Sequence, residues 1–384
     1  MERGMFLYPW DLIDDGIDNV IARLKNMGIT YVSLAVLYHK AKLLLPHNPK
    51  HHLYMVEGNT CFYHIQQERY GRLKPSKSPI LDSYTGDFLQ EILEHFRKAH
   101  IRLGVWVVLF HNDHLADKYP DCAIQNCFGE RLNTNLCPSN PEVYQYGLNV
   151  IEEILECGVD EIHLESAEYA GFLHGEHHEM QAFQDTVMLD RLMGACYCPY
   201  CREQGIKAGI DMDRLIGSAK QEAERFFHFW GKPSDHAVYE ELFREYLTVK
   251  QRRIASFYSD VRKLVDRKGV NTKIKPILWM SGDSDPHLCG IDMWQMEKYV
   301  DGVITAYPDS DMQVDSFVHK IRKFVPMHMP VTGGVRLLAE NTTTPGQIKK
   351  YIQEYADCGI QDLIFYNYGM APLPFLQELE VGLL

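Results

Sequence analysis

The chain has 384 residues, of which 46% are hydrophobic and 24% charged, and its formal net charge is -13 at pH 7. This surplus of acids argues against a nucleic-acid partner, because phosphate binding requires clustered lysine and arginine. No run approaches the roughly 20 apolar residues of a membrane span, and the first ten residues lack the basic and apolar regions of a signal peptide. We therefore expect a cytoplasmic protein with neither nucleic acid nor membrane as a partner.

Short β-rich apolar runs alternate with amphipathic helical segments, which is the pattern of stacked βα units. The predicted strands are Met5–Trp10, Thr30–Leu37, Ile101–Phe110, Val159–Leu164, Lys273–Met280, Gly302–Ala306, Met329–Val335 and Asp362–Tyr366. The predicted helices are Gly16–Asn26, Gly86–Ala99, Pro141–Glu156, Val238–Asp266, Met312–Phe324 and Pro345–Cys358. The last of these helices is expected to begin with Thr344 as its N-cap and Pro345 at its first position.

Eight strands with intervening helices predict an α/β fold of the (β/α)8 TIM-barrel type, as one domain over residues 1–384. Long loops follow strands two, three and four, and residues 167–237 form an insertion after strand four. A doubly wound sheet is the alternative, but no glycine-rich phosphate fingerprint follows strand one. In a barrel the active site is built at the C-terminal ends of the strands, so functional residues are expected there.

A cysteine cluster, Cys196, Cys198 and Cys201, places three thiols within six residues, and a tight turn can aim them at one point. Tetrahedral zinc requires a fourth ligand, for which Cys137 in the loop after strand three is the first choice. The alternatives are Cys122, Cys127 or a nearby histidine. Four thiolates leave no open coordination position, so the sequence predicts a structural Zn²⁺ that joins the loops after strands three and four. No organic cofactor is expected.

Two acids stand at the end of strand four. Alternation along the strand places Glu165 near the barrel mouth, where a buried carboxylate is costly unless it is used or paired. Glu165 is therefore a candidate catalytic residue, with an ion pair that closes the barrel as the alternative. Glu168 lies three residues further along and is a second candidate, with an ordinary loop carboxylate as the alternative.

The following segment is rich in histidine and glutamate, with His174, Glu176, His177, His178 and Glu179. Such a set could bind a metal ion, bind sugar hydroxyls or transfer protons. It lacks the helical H-E-x-x-H spacing of zinc proteases, so that activity is not supported. A solvated polar loop is the alternative interpretation.

Other strand ends also carry aromatic, amide and imidazole groups. Together they describe a mouth suited to a sugar, because aromatic rings can stack on its apolar face while polar side chains bond to its hydroxyls. A phosphate pocket would need glycine-rich amides and more basic residues. The candidate substrate-binding residues are Tyr8, Trp10, His39, His111, Asn112, His174, His178, Arg336, Tyr366 and Asn367.

The runs Leu136–Val143 and Gly158–Glu165 resemble the region between strands three and four of glycosyl-hydrolase-like barrel proteins. The cysteine loop Cys196–Cys201, followed by Arg202 and Glu203, resembles the zinc-binding loop of the family-42 β-galactosidases. In that family an earlier cysteine completes the zinc site, which is compatible with Cys137 here. The resemblance implies a TIM barrel and an activity on carbohydrates.

The resemblance has two departures. Ala167-Glu168-Tyr169 is similar to that family's acid/base tripeptide Asn-Glu-Tyr, but alanine replaces the asparagine. The family's nucleophile is a glutamate that ends strand seven, and Thr332–Arg336 contains no glutamate. The retaining mechanism of the family is therefore not implied as a whole.

The leading hypothesis is a glycoside hydrolase that cleaves a small glycoside or oligosaccharide with two carboxylates. Its catalytic residues would be Glu165 with Asp309 after strand six, or with Asp283 after strand five, and Glu168 could be the acid instead. One alternative is a metal-dependent sugar lyase, isomerase or epimerase that uses the loop from His174 to His178. Another is a non-catalytic carbohydrate-binding barrel. The oligomeric state is left open, with a homo-oligomer as one option.

Overall fold

The computed structural model describes residues 2–82, 84, 86–172, 181–229, 237–278, 285–308, 312–338, 342 and 344–382. Eight parallel strands pair in sequence order, and the last pairs with the first, so the sheet closes into a barrel. The strands are β1 (Arg3–Leu7), β2 (Tyr31–Tyr38), β3 (Arg102–Val108), β4 (Glu161–Glu165), β5 (Lys273–Leu278), β6 (Val303–Thr305), β7 (Val331–Arg336) and β8 (Asp362–Tyr366). The predicted TIM-barrel fold is confirmed.

Helices occupy the connections between these strands. The first seven are α1 (Pro9–Asp15), α2 (Ile17–Asn26), α3 (Phe88–Lys98), α4 (Asp113–Lys118), α5 (Pro141–Glu156), α6 (Thr186–Leu189) and α7 (Pro199–Lys207). They are followed by α8 (Met212–His228), α9 (Ala237–Lys268), α10 (Met293–Met296), α11 (Val314–Arg322), α12 (Gln347–Asp357) and α13 (Leu373–Gly382). No helix in the described part of the chain is long and apolar enough to cross a membrane.

The long connections after β2 and β3 carry small sheets of their own. Ala41–Leu44 pairs antiparallel with Leu53–Val56, and Ala123–Gln125 pairs antiparallel with Arg131–Leu136. Thr60–Cys61 adds an antiparallel strand to the end of β2, and Ser76–Lys77 pairs with it. The connection after β4 contains α6, α7 and α8.

Several predicted boundaries differ from the structure by a few residues, and two of these errors have a clear local cause. Trp10 does not extend strand one, because Pro9 begins α1 and the Tyr8 backbone N–H donates to the Asp11 carboxylate in a capping box. Thr344 is not the N-cap of α12, which begins at Gln347 after Gly346. The Gln347 N–H donates a hydrogen bond to the Thr344 carbonyl three residues earlier. The chain before α12 therefore forms a turn that is tighter than an α-helical turn.

Strand β4 directs alternate side chains into the barrel, as a strand must. At its N-terminal end Glu161 lies 2.7 Å from the ammonium of Lys275 and 3.2 Å from Nε2 of His163, which is fully buried. The other ring nitrogen of His163 is 2.7 Å from the Ser33 hydroxyl. The same alternation brings Glu165 to the inside at the C-terminal end.

Candidate active site

Glu165 is the last residue of β4 and is only 4% exposed. Trp106 of β3 donates its indole N–H to Oε2 of Glu165 at 2.5 Å. Directly after Glu165, Ser166 has a positive φ of 51°, a conformation in which the chain turns away from the strand direction. The Glu165 and Ser166 carbonyls accept bonds from the backbone N–H groups of Leu109 and Phe110, which fix the end of β4 against the chain that follows β3.

Glu165 faces a small cavity of about 10 Å³, which is room for about one water molecule. Aromatic rings form much of its wall, and Gly334 closes one side. A side chain at Gly334 would meet the Thr305 carbonyl oxygen at 2.6 Å, so glycine allows β7 to approach β6. The remaining lining residues are Phe6, Trp106, Ile277, Ala306, Tyr307 and Tyr366. The carboxylate therefore lies in a largely apolar, aromatic pocket.

Three tyrosine hydroxyls meet beside this pocket. Tyr8 Oη is 2.9 Å from Tyr38 Oη and 3.4 Å from Tyr366 Oη. Burial raises the pKa of both Tyr38 and Tyr366, and the charge of Glu165 raises each pKa further. These hydroxyls thus stay protonated at neutral pH and can donate hydrogen bonds to an oxygen-rich ligand.

Glu168 is the second acid of this strand end and is half-buried. Burial, and after it the charge of Glu165, raises the pKa of Glu168 to about 8, although the backbone N–H groups of Ala167 and Glu168 act in the opposite direction. Glu168 is therefore largely protonated at pH 7. A carboxyl group that keeps its proton near neutral pH is suited to the role of a general acid.

Several other predicted binding residues surround this centre. Arg336 at the end of β7 places its guanidinium 4.7 Å from the ring centre of Tyr307. His39 stacks on Tyr38 and on His111, with 4.4 Å between ring centres in each pair. These residues, together with Tyr8 and Tyr366, extend from strand ends at the same end of the barrel.

Trp10 and Asn367 are fully buried next to this group, and Trp10 stacks on Tyr8 at 4.5 Å. Within the described ranges, the Trp10 indole N–H and the Asn367 side-chain NH₂ have no hydrogen-bond partner. Asn112 has a different environment. Its side chain caps α4 by accepting the Leu115 N–H at 3.0 Å and donates to Asn59 at 2.8 Å, so its polar atoms are engaged within the fold.

Four predicted site residues lie outside the described part of the chain: Asp283, Asp309, His174 and His178. The rest of the histidine-rich segment, Glu176, His177 and Glu179, lies outside it as well. Two residues of the centre are absent from the predicted site, Trp106 and Tyr38. The available signal was the alternation of β3, which gives Trp106 the same inward register as the acid on β4.

The four cysteines Cys137, Cys196, Cys198 and Cys201 form a buried cluster with all their sulfur atoms within 4.8 Å of one another. Cys137 Sγ lies 3.6, 3.5 and 3.4 Å from the sulfurs of Cys196, Cys198 and Cys201. A tetrahedral zinc with Zn–S bonds of about 2.3 Å has sulfur atoms about 3.8 Å apart, so this donor set fits a metal ion of that size.

The alternative fourth ligands are used elsewhere. Cys122 Sγ accepts a bond from the Asn140 amide at 3.4 Å, and Cys127 Sγ lies 3.8 Å from the Leu192 carbonyl. Cys137 follows the strand Arg131–Leu136 in the β3 connection, whereas the other three thiols surround the start of α7 in the β4 connection. A metal ion at this cluster would join the two connections.

Solved structures that resemble this chain include glycoside hydrolases. An α-L-fucosidase from Paenibacillus thiaminolyticus has a TM-score of 0.60 and 12% identity over 99% of this chain. A β-galactosidase from Marinomonas ef1 has a TM-score of 0.56 and 10% identity over 99%. A GH42 β-galactosidase from G. stearothermophilus has a TM-score of 0.57 and 11% identity over 96%. The shared feature is the barrel fold.

This chain spans 48%, 58% and 51% of the lengths of those three proteins, respectively. Its sequence matches no protein-family model and no curated protein. The fold relationship therefore does not by itself assign a substrate or a catalytic residue.

Proposed function

We propose that the protein is a glycoside hydrolase that acts on a small glycoside or oligosaccharide at the C-terminal mouth of the barrel. The observation that carries the proposal is the pair Glu165 and Glu168, in which one carboxyl is held by Trp106 in an aromatic pocket and the other has a pKa of about 8. The sugar hydrolases among the fold neighbours support the same class of substrate.

In this mechanism Glu168 is the general acid. It gives its proton to the glycosidic oxygen while the bond from that oxygen to the anomeric carbon breaks. Glu165 acts as the second carboxylate, either by attacking the anomeric carbon or by taking a proton from the attacking water. Asp309 and Asp283 remain predictions for a further carboxylate on the opposite side of the mouth.

The remaining polar groups would bind and orient the sugar. The hydroxyls of Tyr8, Tyr38 and Tyr366 are hydrogen-bond donors. So are the N–H groups of Trp10 and Asn367, which have no partner among the residues that the structure describes. At the four cysteines, Zn²⁺ would have no open coordination position and would supply a cross-link between two connections. The thiolates, rather than the mouth residues, would hold it.

The test uses aryl glycosides of galactose, fucose and glucose in both anomeric forms, each with a methylumbelliferyl and a dinitrophenyl leaving group. Glu165→Gln should lower kcat/KM by roughly 1,000-fold or more with both leaving groups. Glu168→Gln should lower it roughly 100- to 10,000-fold with methylumbelliferyl and much less with dinitrophenyl, which departs without protonation.

Near-wild-type turnover by Glu165→Gln would overturn the assignment. Saturable sugar binding without turnover of any glycoside would instead favour a non-catalytic carbohydrate-binding barrel. Equal losses with both leaving groups in Glu168→Gln would remove Glu168 from the acid role.

A further inference from the structure

A groove of about 800 Å³ lies on the outer wall of the barrel, away from the interior in which Glu165 lies. One side is the face of α9 that carries Arg252, Ser256 and Ser259. The other side is the segment around α10, which contributes Trp294 and Tyr299. None of these residues belongs to the proposed active site.

The groove exists because α9 presents small side chains opposite large ones. Ala255, Ser256 and Ser259 leave space along the helix, and the aromatic residues stand across from them. Trp294 is fixed at its backbone, since its N–H donates to the Asp292 carboxylate at 3.1 Å. Its position is thus set by the fold.

Trp294 is 51% exposed, whereas Trp10 and Trp106 are buried. Leaving an indole ring in water forgoes a large burial energy, and tryptophan is enriched at interfaces because it offers an apolar ring together with a polar N–H. Tyr299 lines the same groove, and the Lys298 ammonium lies 5.0 Å from its ring centre. The groove therefore offers an aromatic platform.

Hydrogen-bond donors flank this platform. Arg252 is exposed and forms no ion pair with any residue in the described ranges. The nearby acids are already engaged, because Asp260 accepts Lys263 at 2.8 Å and Glu297 lies 3.3 Å from His328. A ligand here would meet a flat apolar ring and the five donors of the Arg252 guanidinium, beside the Asp260–Lys263 ion pair.

We propose that this groove is a second saccharide-binding site, in which an oligosaccharide stacks one sugar ring on Trp294 and bonds to Arg252 through its hydroxyls. The mixture of one exposed indole with polar neighbours suits a sugar, which has an apolar face and a polar rim. A protein partner would require a larger contiguous apolar patch than a single indole. The proposal does not depend on catalysis at the barrel mouth.

The experiment is native affinity electrophoresis in gels that contain soluble galactan, xylan, mixed-linkage β-glucan or starch, with a polysaccharide-free gel as reference. The wild type should be retarded by at least one of these polymers, and Trp294→Ala should migrate as in the reference gel. Arg252→Ala should weaken the retardation severalfold. Glu165→Gln should be retarded like the wild type, as should Met327→Ala, a control at another exposed apolar residue.

Unchanged mobility of the wild type in all four gels would overturn the proposal, as would retardation that persists in Trp294→Ala. Retardation lost only in Glu165→Gln would place the sugar at the barrel mouth and also overturn it. A wild-type dimer in sedimentation velocity that dissociates in Trp294→Ala would identify a protein interface instead. Retardation of the wild type that is lost in Trp294→Ala, with no wild-type activity on any aryl glycoside, would support this site while the proposed hydrolase function failed.

Discussion

The indole N–H of Trp106 and the carboxylate of Glu165 are 2.5 Å apart, and both side chains are inside the barrel. Trp106 on β3 is paired with His163 on β4, and Glu165 lies two residues further along β4 on the same side of the sheet. A donor on one strand thus orients an acid on the neighbouring strand. A hydrogen bond to a carboxylate is stronger than one between neutral groups and fixes the orientation of the acceptor. Trp106 is therefore a positioning residue for Glu165.

Trp106→Phe retains an aromatic ring and removes the donor. We expect kcat on a cleaved glycoside to fall roughly 10- to 100-fold with little change in KM, because the misplaced group is the reacting carboxylate. In the Glu165→Gln background the same substitution should cost little more, since the reacting carboxylate that Trp106 positions is already absent. Additive losses in this double-mutant cycle would show that Trp106 acts elsewhere.

Glu168 should make stability depend on pH. Its pKa rises from 4.5 to about 8 on folding, so folded and unfolded chains both hold the proton below pH 4.5. Between pH 4.5 and 8 only the unfolded state loses it, and the Glu168 contribution to stability falls as the pH rises. Glu168→Gln should therefore increase the free energy of unfolding on the order of 2 kcal/mol at pH 8, with the half-buried position limiting the gain.

Urea unfolding of wild type and Glu168→Gln at pH 4.5 and pH 8 measures this difference. The two proteins should be nearly equal at the lower pH and diverge at the higher pH. If the carboxyl is also the general acid, kcat/KM of the wild type should decline as the pH rises through about 8. A variant less stable than wild type at pH 8 would contradict the protonated state of Glu168.

The contacts of Glu168 and Trp106 also show how far the sequence could be interpreted. Strand four was predicted from its apolar pattern, and the acid at its end was recognisable. The raised pKa of Glu168 was not, because it depends on burial among residues distant in the chain. Trp106 lies in a strand that is apolar apart from Arg102, so alternation gives a weak signal and the pairing between strands shows that Trp106 faces the acid.

Periodicity predicted the eight strands with boundary errors of a few residues, and β8 matched at both ends. Cys137 could be chosen as the fourth ligand because it lies in the connection after strand three, which is next to the connection that carries the other three cysteines. Asn112 follows a strand, like true mouth residues, but it caps α4 instead. Whether a polar residue after a strand points to the mouth or caps the next helix depends on the local path of the loop, which the pattern does not define.

Glu161, His163 and Lys275 form a buried ion cluster at the N-terminal end of the barrel. Changes in this cluster should affect stability without affecting turnover. Lys275→Met removes the cation 2.7 Å from Glu161 and leaves Arg102, at 3.4 Å, as the remaining cation beside that carboxylate, which should cost up to about 3 kcal/mol. Adding Glu161→Gln should recover much of this loss, because the poorly compensated charge is removed. Urea unfolding measures both variants, and kcat of the folded Lys275→Met protein should equal that of wild type.

Acid should weaken the same cluster in a defined order. Burial lowers the pKa of His163, so stability should fall as the pH drops below its ordinary value of 6.5, where the unfolded chain gains the proton first. The pKa of Glu161 is lowered by His163 and Lys275 against the effect of burial, so its contribution is lost only as the pH falls below 4.5. The test uses the Glu168→Gln background, which removes the opposite effect of Glu168 in this range, and stability that stays constant there from pH 7 to pH 5 would contradict the buried neutral state of His163.

The thiolate cluster predicts a metal that survives purification. Elemental analysis of untagged protein should find about one zinc per chain, and Cys198→Ser should lose it and unfold at a lower temperature. Cys127→Ser is the matched control, because Cys127 is buried but bonds outside the cluster, and it should retain the metal. Zinc retained by Cys198→Ser and lost by Cys127→Ser would contradict the assigned ligands. A second metal that persists in Cys198→Ser would instead favour metal-dependent chemistry at the histidine-rich segment.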